Sequence, residues 1–68
     1  MMPLVRVEIL EGRNSDVIEI MMEEVTATIH RTLDSPKENI RVIVHEIPHT
    51  HWSIGGHSVR ELREDKSR

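Results

Sequence analysis

A chain of 68 residues with no cysteine and one aromatic residue, Trp52, has neither a disulfide framework nor a thiolate metal site to stabilise it. Its formal net charge of −3 argues against nucleic acid or an anionic membrane as the main partner. No stretch approaches the roughly 20 apolar residues of a membrane span, and the N-terminus lacks a signal-peptide layout. What remains is one domain, residues 1–68, in the cytoplasm, in the size range where assembly with other subunits supplies the missing stability.

Pro3 opens the first apolar run. From Leu4 to Leu10 the residues alternate, with Val5, Val7 and Ile9 on one face and Arg6 and Glu8 on the other, which predicts a strand. Gly12 breaks it, and Asn14-Ser15-Asp16 offers capping side chains for a helix. Ile18, Met22, Val25, Ile29 and Leu33 then recur at helical spacing until Asp34-Ser35-Pro36 ends the run. Residues 40–44 are β-branched apart from Arg41 and do not alternate cleanly, as expected of a strand covered on both faces. Pro48 stops that strand. Two strands joined by a helix of this length are parallel, so residues 3–47 form a βαβ core of the α/β class. Residues 48–68 read as a loop and C-terminal arm, with Gly55-Gly56 marking the turn of a hairpin that lies on a neighbour.

One βαβ unit cannot close on itself. Its two-stranded sheet leaves both edges unpaired and one face bare. Two such units form a four-stranded sheet with both helices on one side, and symmetric assembly of dimers covers the opposite face.

The chemistry begins at Pro3. As the first residue of a processed chain it would carry a free secondary amine, and an unperturbed α-amino group titrates near ~8. Lost solvation or nearby cations bring such a group towards neutral pH, where it serves as a general base. Behind Met2 the same nitrogen is an amide with no basicity, and a proline there is only a strand-start residue. Trimming of Met2 before Pro3 is expected if translation starts at Met2, and not from Met1-Met2. Arg13 lies just past the first strand, where βα-type sites collect ligands; otherwise it is a surface charge at a helix start. Arg41, set in a β-branched run, must face a cavity or pair with a carboxylate such as Glu8, Glu46 or one on a neighbouring subunit. His45, His49, His51 and His57 match no closed four-ligand metal template, and no metal is expected. His30 complements the helix dipole. Ser53 has no evident base partner, which leaves acyl transfer unsupported.

Pro3, Leu10-Glu11-Gly12-Arg13, Ile40-Arg41-Val42-Ile43 and His51-Trp52-Ser53-Ile54-Gly55-Gly56 fall in the order and spacing of the 4-oxalocrotonate tautomerase family, and from Met2 to about Arg63 the chain resembles that family. The resemblance implies βαβ subunits assembled as a homo- or hetero-hexamer, a trimer of dimers, with active sites built by adjacent subunits. It implies a cofactor-free keto–enol isomerase acting on a small dicarboxylate or enol acid such as 2-hydroxymuconate, in the catabolism of aromatic compounds. Pro3 would be the general base and acid. Arg13 would hold the distal carboxylate and Arg41 the enol end, with Trp52, Leu10 and Ile54 lining the pocket. Trp52 stands where familiar members have phenylalanine, and Ser53 where they have glycine. Two other readings stay open. One is a non-catalytic partner subunit with a blocked proline; the other is a hydratase or dehalogenase of unsaturated acids, which needs a carboxylate to activate water.

Overall fold

The computed structural model describes residues 2–66, so Met1 and residues 67–68 of the arm lie outside it. Strand β1 (Leu4–Leu10) leads into helix α1 (Ser15–Leu33), and a 3-10 turn at Lys37–Asn39 delivers the chain to strand β2 (Arg41–Ile47). A second 3-10 turn (His49–His51) precedes the hairpin strands β3 (Ser53–Ile54) and β4 (His57–Ser58), and helix α2 (Val59–Lys66) comes last. β1 and β2 pair in parallel from Leu4 beside Arg41 to Leu10 beside Ile47. The fold is a small βαβ unit with a C-terminal hairpin. The arm is not loop alone, however, since its last part is helical.

Local chemistry explains each boundary. Gly12, at φ 131°, breaks β1 in a region of backbone space that side-chain-bearing residues rarely enter. The Asn14 side chain caps α1 by accepting a hydrogen bond from the Val17 amide at 3.0 Å. At the other end Asp34 adopts the left-handed conformation, and His30 Nδ1–H donates to the Ser35 carbonyl at 2.7 Å. His30 therefore closes the helix through a specific bond as well as through its place at the helix end. Gly55 and Gly56, at φ 64° and 90°, form the two-residue turn that a tight hairpin needs.

Val5, Val7 and Ile9 face α1 together with Val42 and Val44, whereas Leu4, Arg6, Glu8, Ile43 and His45 share the other face. That second face is open. Leu4 is 55% and Ile43 48% exposed, so β2 is covered on one side only within the chain, not on both as its composition predicts. Leu33, expected on the apolar helix stripe, is also exposed, while Met21 joins Met22 and Val25 on the half-buried side. Among the described residues only Ile40 and Val59 are buried apolar side chains.

The global dimensions agree with a subunit rather than a closed globule. The radius of gyration is 15.9 Å, against about 11 Å for a compact domain of this length. The accessible surface is 5350 Å², where a monomer of this mass shows about 4400 Å². α1 lies nearer β2 than β1. The helix side of β1 is left with two recesses, about 280 Å³ between Val5 and Met21, Val25 and Ile29, and about 190 Å³ between Val7, Ile9 and Arg13, Val17, Ile18. The unpaired edge of β1 and the open sheet face are the surfaces a second copy would cover.

Candidate active site

The six residues singled out by the sequence separate into two groups at opposite ends of the sheet. At the N-terminal end, the Pro3 carbonyl accepts a hydrogen bond from the Arg41 amide at 3.0 Å, which extends the parallel ladder by one rung. This bond sets the half-buried proline beside the start of β2. The Arg41 guanidinium is exposed and its Nη1 donates to the Glu38 carbonyl at 2.8 Å. It pairs with neither Glu8 nor Glu46; Glu8 instead faces His45, with Oε1 to Nδ1 at 3.6 Å. Strand alternation puts the Arg41 side chain on the open face with Leu4, and Pro3 on the face of Val5. The two backbones touch, and the Pro3 and Arg41 side chains leave on opposite faces of the sheet.

Leu10 and Arg13 lie at the other end, where the segment that leaves β2 leads on to Trp52 and Ile54. Leu10 ends β1 on the side opposite Ile9, and Arg13 comes next in the turn to α1 with Nη1 donating to the Leu10 carbonyl at 3.4 Å. The β1–α1 turn is tied to the segment that leaves β2. The Glu11 amide donates to the Ile47 carbonyl at 2.9 Å, and His49 Nε2–H donates to the Glu11 carbonyl at 3.0 Å. That segment continues into half-buried Trp52, whose carbonyl accepts from the buried Val59 amide at 2.8 Å. Ile54, on the hairpin, is 61% exposed.

Six residue steps of β1 separate Leu4 from Leu10, or about 20 Å at the rise of a strand. No small substrate touching Pro3 reaches Arg13 or Trp52 of the same chain. The residues singled out by the sequence therefore form two groups within one chain, too far apart for one small molecule to span.

The remaining ionisable side chains do not form a rival centre. His45 faces Glu8, His49 the Glu11 carbonyl, His51 the Thr50 hydroxyl at 2.8 Å, and His57 the Glu61 carboxylate at 2.7 Å. Among the described residues no group of three or more His, Asp or Glu side chains is placed to hold a metal ion. No helix among them is long and apolar enough to cross a membrane. The ties made by His49 and by the His57–Glu61 pair have no signature in the sequence, where the histidines read as one group.

The family described as Tautomerase enzyme matches residues 3–62, from Pro3 to the middle of α2. The chain belongs to the tautomerase family. It is 41% identical over 61 residues to a 2-hydroxymuconate tautomerase of Stutzerimonas stutzeri, covering 90% of this chain and 97% of that one. A probable tautomerase of Listeria monocytogenes is 42% identical over 55 residues, 81% of this chain and 90% of that protein. Among solved structures, TomN, a 4-oxalocrotonate tautomerase homologue of the tomaymycin biosynthetic pathway, is 47% identical with a TM-score of 0.88, covering 91% of this chain and 95% of TomN. A heterohexameric 4-oxalocrotonate tautomerase from Chloroflexus aurantiacus is 36% identical with a TM-score of 0.82, covering 93% of this chain and all of that one. Tautomerases of the 4-oxalocrotonate type are thus this chain's relatives in sequence and in fold, and isomerase chemistry is the class of activity they support.

Proposed function

We propose that this chain, once it starts at Pro3, is a cofactor-free keto–enol tautomerase of 2-hydroxydienoates such as 2-hydroxymuconate, working in sites shared between subunits. The observation that carries this reading is a family match that begins at Pro3, whose nitrogen is a basic secondary amine when the chain starts there and an amide when it does not. The amine removes the proton of the 2-hydroxyl group, the electrons move along the diene, and a proton is returned to C5. The O–H bond breaks, the C5–H bond forms, and no redox change occurs. Arg13 holds the distal carboxylate and draws electron density towards C5; Arg41 holds the enol end. Arginine's fork suits both carboxylates. Trp52, Leu10 and Ile54 keep water from the amine.

Two-fold pairing of the unpaired β1 edges would make this site. Copies of one edge strand related by a two-fold axis normal to the sheet run antiparallel. Pro3 of one chain then lies beside Leu10 and the β1–α1 turn of the other, against the recess lined by Ile9, Arg13 and Val17. Arg41 projects from the open face, so the guanidinium serving a given Pro3 comes from another dimer. A trimer of dimers meets that requirement and covers Leu4 and Ile43.

The test compares protein starting at Pro3 with protein that keeps Met1-Met2, at matched assembly. The processed form should isomerise 2-hydroxymuconate without added metal. Its rate should rise with pH through one ionisation, as the ammonium loses its proton. The Met-retaining form should assemble and be inactive, because an amide nitrogen accepts no proton. Equal activity of the two would exclude Pro3 as the base. The heterohexameric relative favours a second reading, a subunit silent in itself that lends Arg13 or Arg41 to a processed partner. Intact mass of the purified protein separates the two.

A further inference from the structure

We infer that His49 is a positioning residue for Arg13: its imidazole holds the β1–α1 turn in the geometry that presents the guanidinium to a substrate carboxylate. This rests on the role proposed for Arg13. His49 opens the 3-10 turn that leads from β2 to Trp52, and is half-buried there. Its Nε2–H reaches the Glu11 carbonyl at 3.0 Å, across 38 residues of sequence. The Glu11 amide is already held by Ile47 at 2.9 Å. Both polar groups of Glu11 are therefore fixed from the β2 side, and through its carbonyl the plane of the Glu11–Gly12 peptide is fixed too.

The bond matters because of the glycine next to that peptide. Gly12 stands at φ 131° with nothing within 4 Å of where a side chain would begin. Glycine has the widest backbone freedom of any residue, so Arg13 is placed only when the chain is held on both sides of Gly12, at the Glu11–Gly12 peptide before it and at the helix cap after it. Arg13 is the next residue, and its own side-chain bond to the Leu10 carbonyl is long, at 3.4 Å. The cap at Asn14 orders the helix start beyond it. Between the strand end and that cap, the His49 bond is the side-chain tie that reaches the turn from outside, next to the backbone bond from Glu11 to Ile47. Small displacements of a binding group cost catalysis heavily, because the substrate's reacting geometry is set by its anchors.

The role predicts a loss that depends on the substrate. A dicarboxylate such as 2-hydroxymuconate uses Arg13, while phenylenolpyruvate has no distal carboxylate to offer it. His49→Met keeps the side-chain volume and removes the donor. It should raise KM for 2-hydroxymuconate about tenfold, the effect of one hydrogen bond near the upper end of the usual neutral range. kcat/KM for phenylenolpyruvate should change by less than about twofold, a shift as small as other surface substitutions give. His49→Gln, whose amide nitrogen can donate from a similar position, should recover most of the loss. In an Arg13→Ala background His49→Met should cost nothing more, because the group it positions is gone. Should His49→Met fail to assemble, His49→Leu takes its place as the donorless variant. Equal losses on both substrates, failure of His49→Gln to rescue, or a full additional loss on top of Arg13→Ala would overturn the inference while leaving the site reading intact. If Arg13→Ala itself harms both substrates equally, the reading of Arg13 fails first, and that of His49 falls with it.

Discussion

Mixing two inactive chains should restore activity, because each supplies the half-site that the other lacks. One parent keeps Met1-Met2, so its Pro3 is acylated while its Arg13 half-site is intact. The other starts at Pro3 and carries Arg13→Ala. The about 20 Å length of β1 keeps the two half-sites of a chain apart. In a two-fold dimer every site then takes Pro3 from one chain and Arg13 from the other. Equal random exchange makes half of the dimers mixed, and each mixed dimer has one site with both groups intact and one with neither. Half of half gives about a quarter of the wild-type activity per site, from parents that have almost none. The assay is 2-hydroxymuconate turnover after co-refolding, with native mass spectrometry counting mixed dimers. Activity no higher than that of the parents, in samples where mixed dimers are demonstrated, would refute the shared site. It would mean that Pro3 and Arg13 do not meet across β1.

Ile43→Glu, on the open sheet face where the side chain is 48% exposed in the chain, should shift sedimentation from the full assembly to smaller species; an unchanged assembly would show that this face stays in water. Asn14→Ala removes the cap that accepts from the Val17 amide and should cost about 1 kcal/mol, read as a lower thermal midpoint at fixed protein concentration. Pro3→Ala in the processed chain leaves a primary amine that is more solvated and more mobile, and should lower kcat while leaving assembly unchanged by sedimentation; unaltered kcat would exclude a special role for the secondary amine.

The strands and α1 were legible because their patterns are strong: period two from Leu4 to Leu10, helical recurrence from Ile18 to Ile29, and a glycine, a cap and a proline at the breaks. The hairpin was legible from Gly55-Gly56. α2 was not, since Val59–Lys66 is too polar for an apolar stripe to stand out. A signal was present all the same. Ser58-Val59-Arg60-Glu61 has the spacing of a helix start, and the Glu61 amide does donate to Ser58 Oγ at 3.1 Å. β2 misled in a different way. Its unbroken apolar run reports burial in an assembly, whereas the chain alone buries one face of it and leaves Ile43 in water. Arg41 was expected to need a cavity or a carboxylate only because the strand reads as enclosed; on an open face a backbone carbonyl suffices.

The same features that leave this chain open as a single subunit are the ones the proposed site uses. An unpaired β1 edge costs stability because its amides and carbonyls lack partners. Yet only that edge can bring an N-terminal Pro3 beside the far end of an identical strand. The recess by Arg13 lies on the helix side of β1, against which α1 packs less closely than against β2. A second helix from the same chain would fill the recess and stabilise the fold, and it would also abolish the space into which a neighbour's proline can enter. In the site proposed above, activity and assembly are therefore coupled through the backbone of one strand. In a fold of this kind catalytic residues need not be neighbours in the chain's own structure. In the proposed dimer, antiparallel pairing inverts the two ends of β1, so that the separation of Pro3 and Arg13 within a chain becomes proximity between chains.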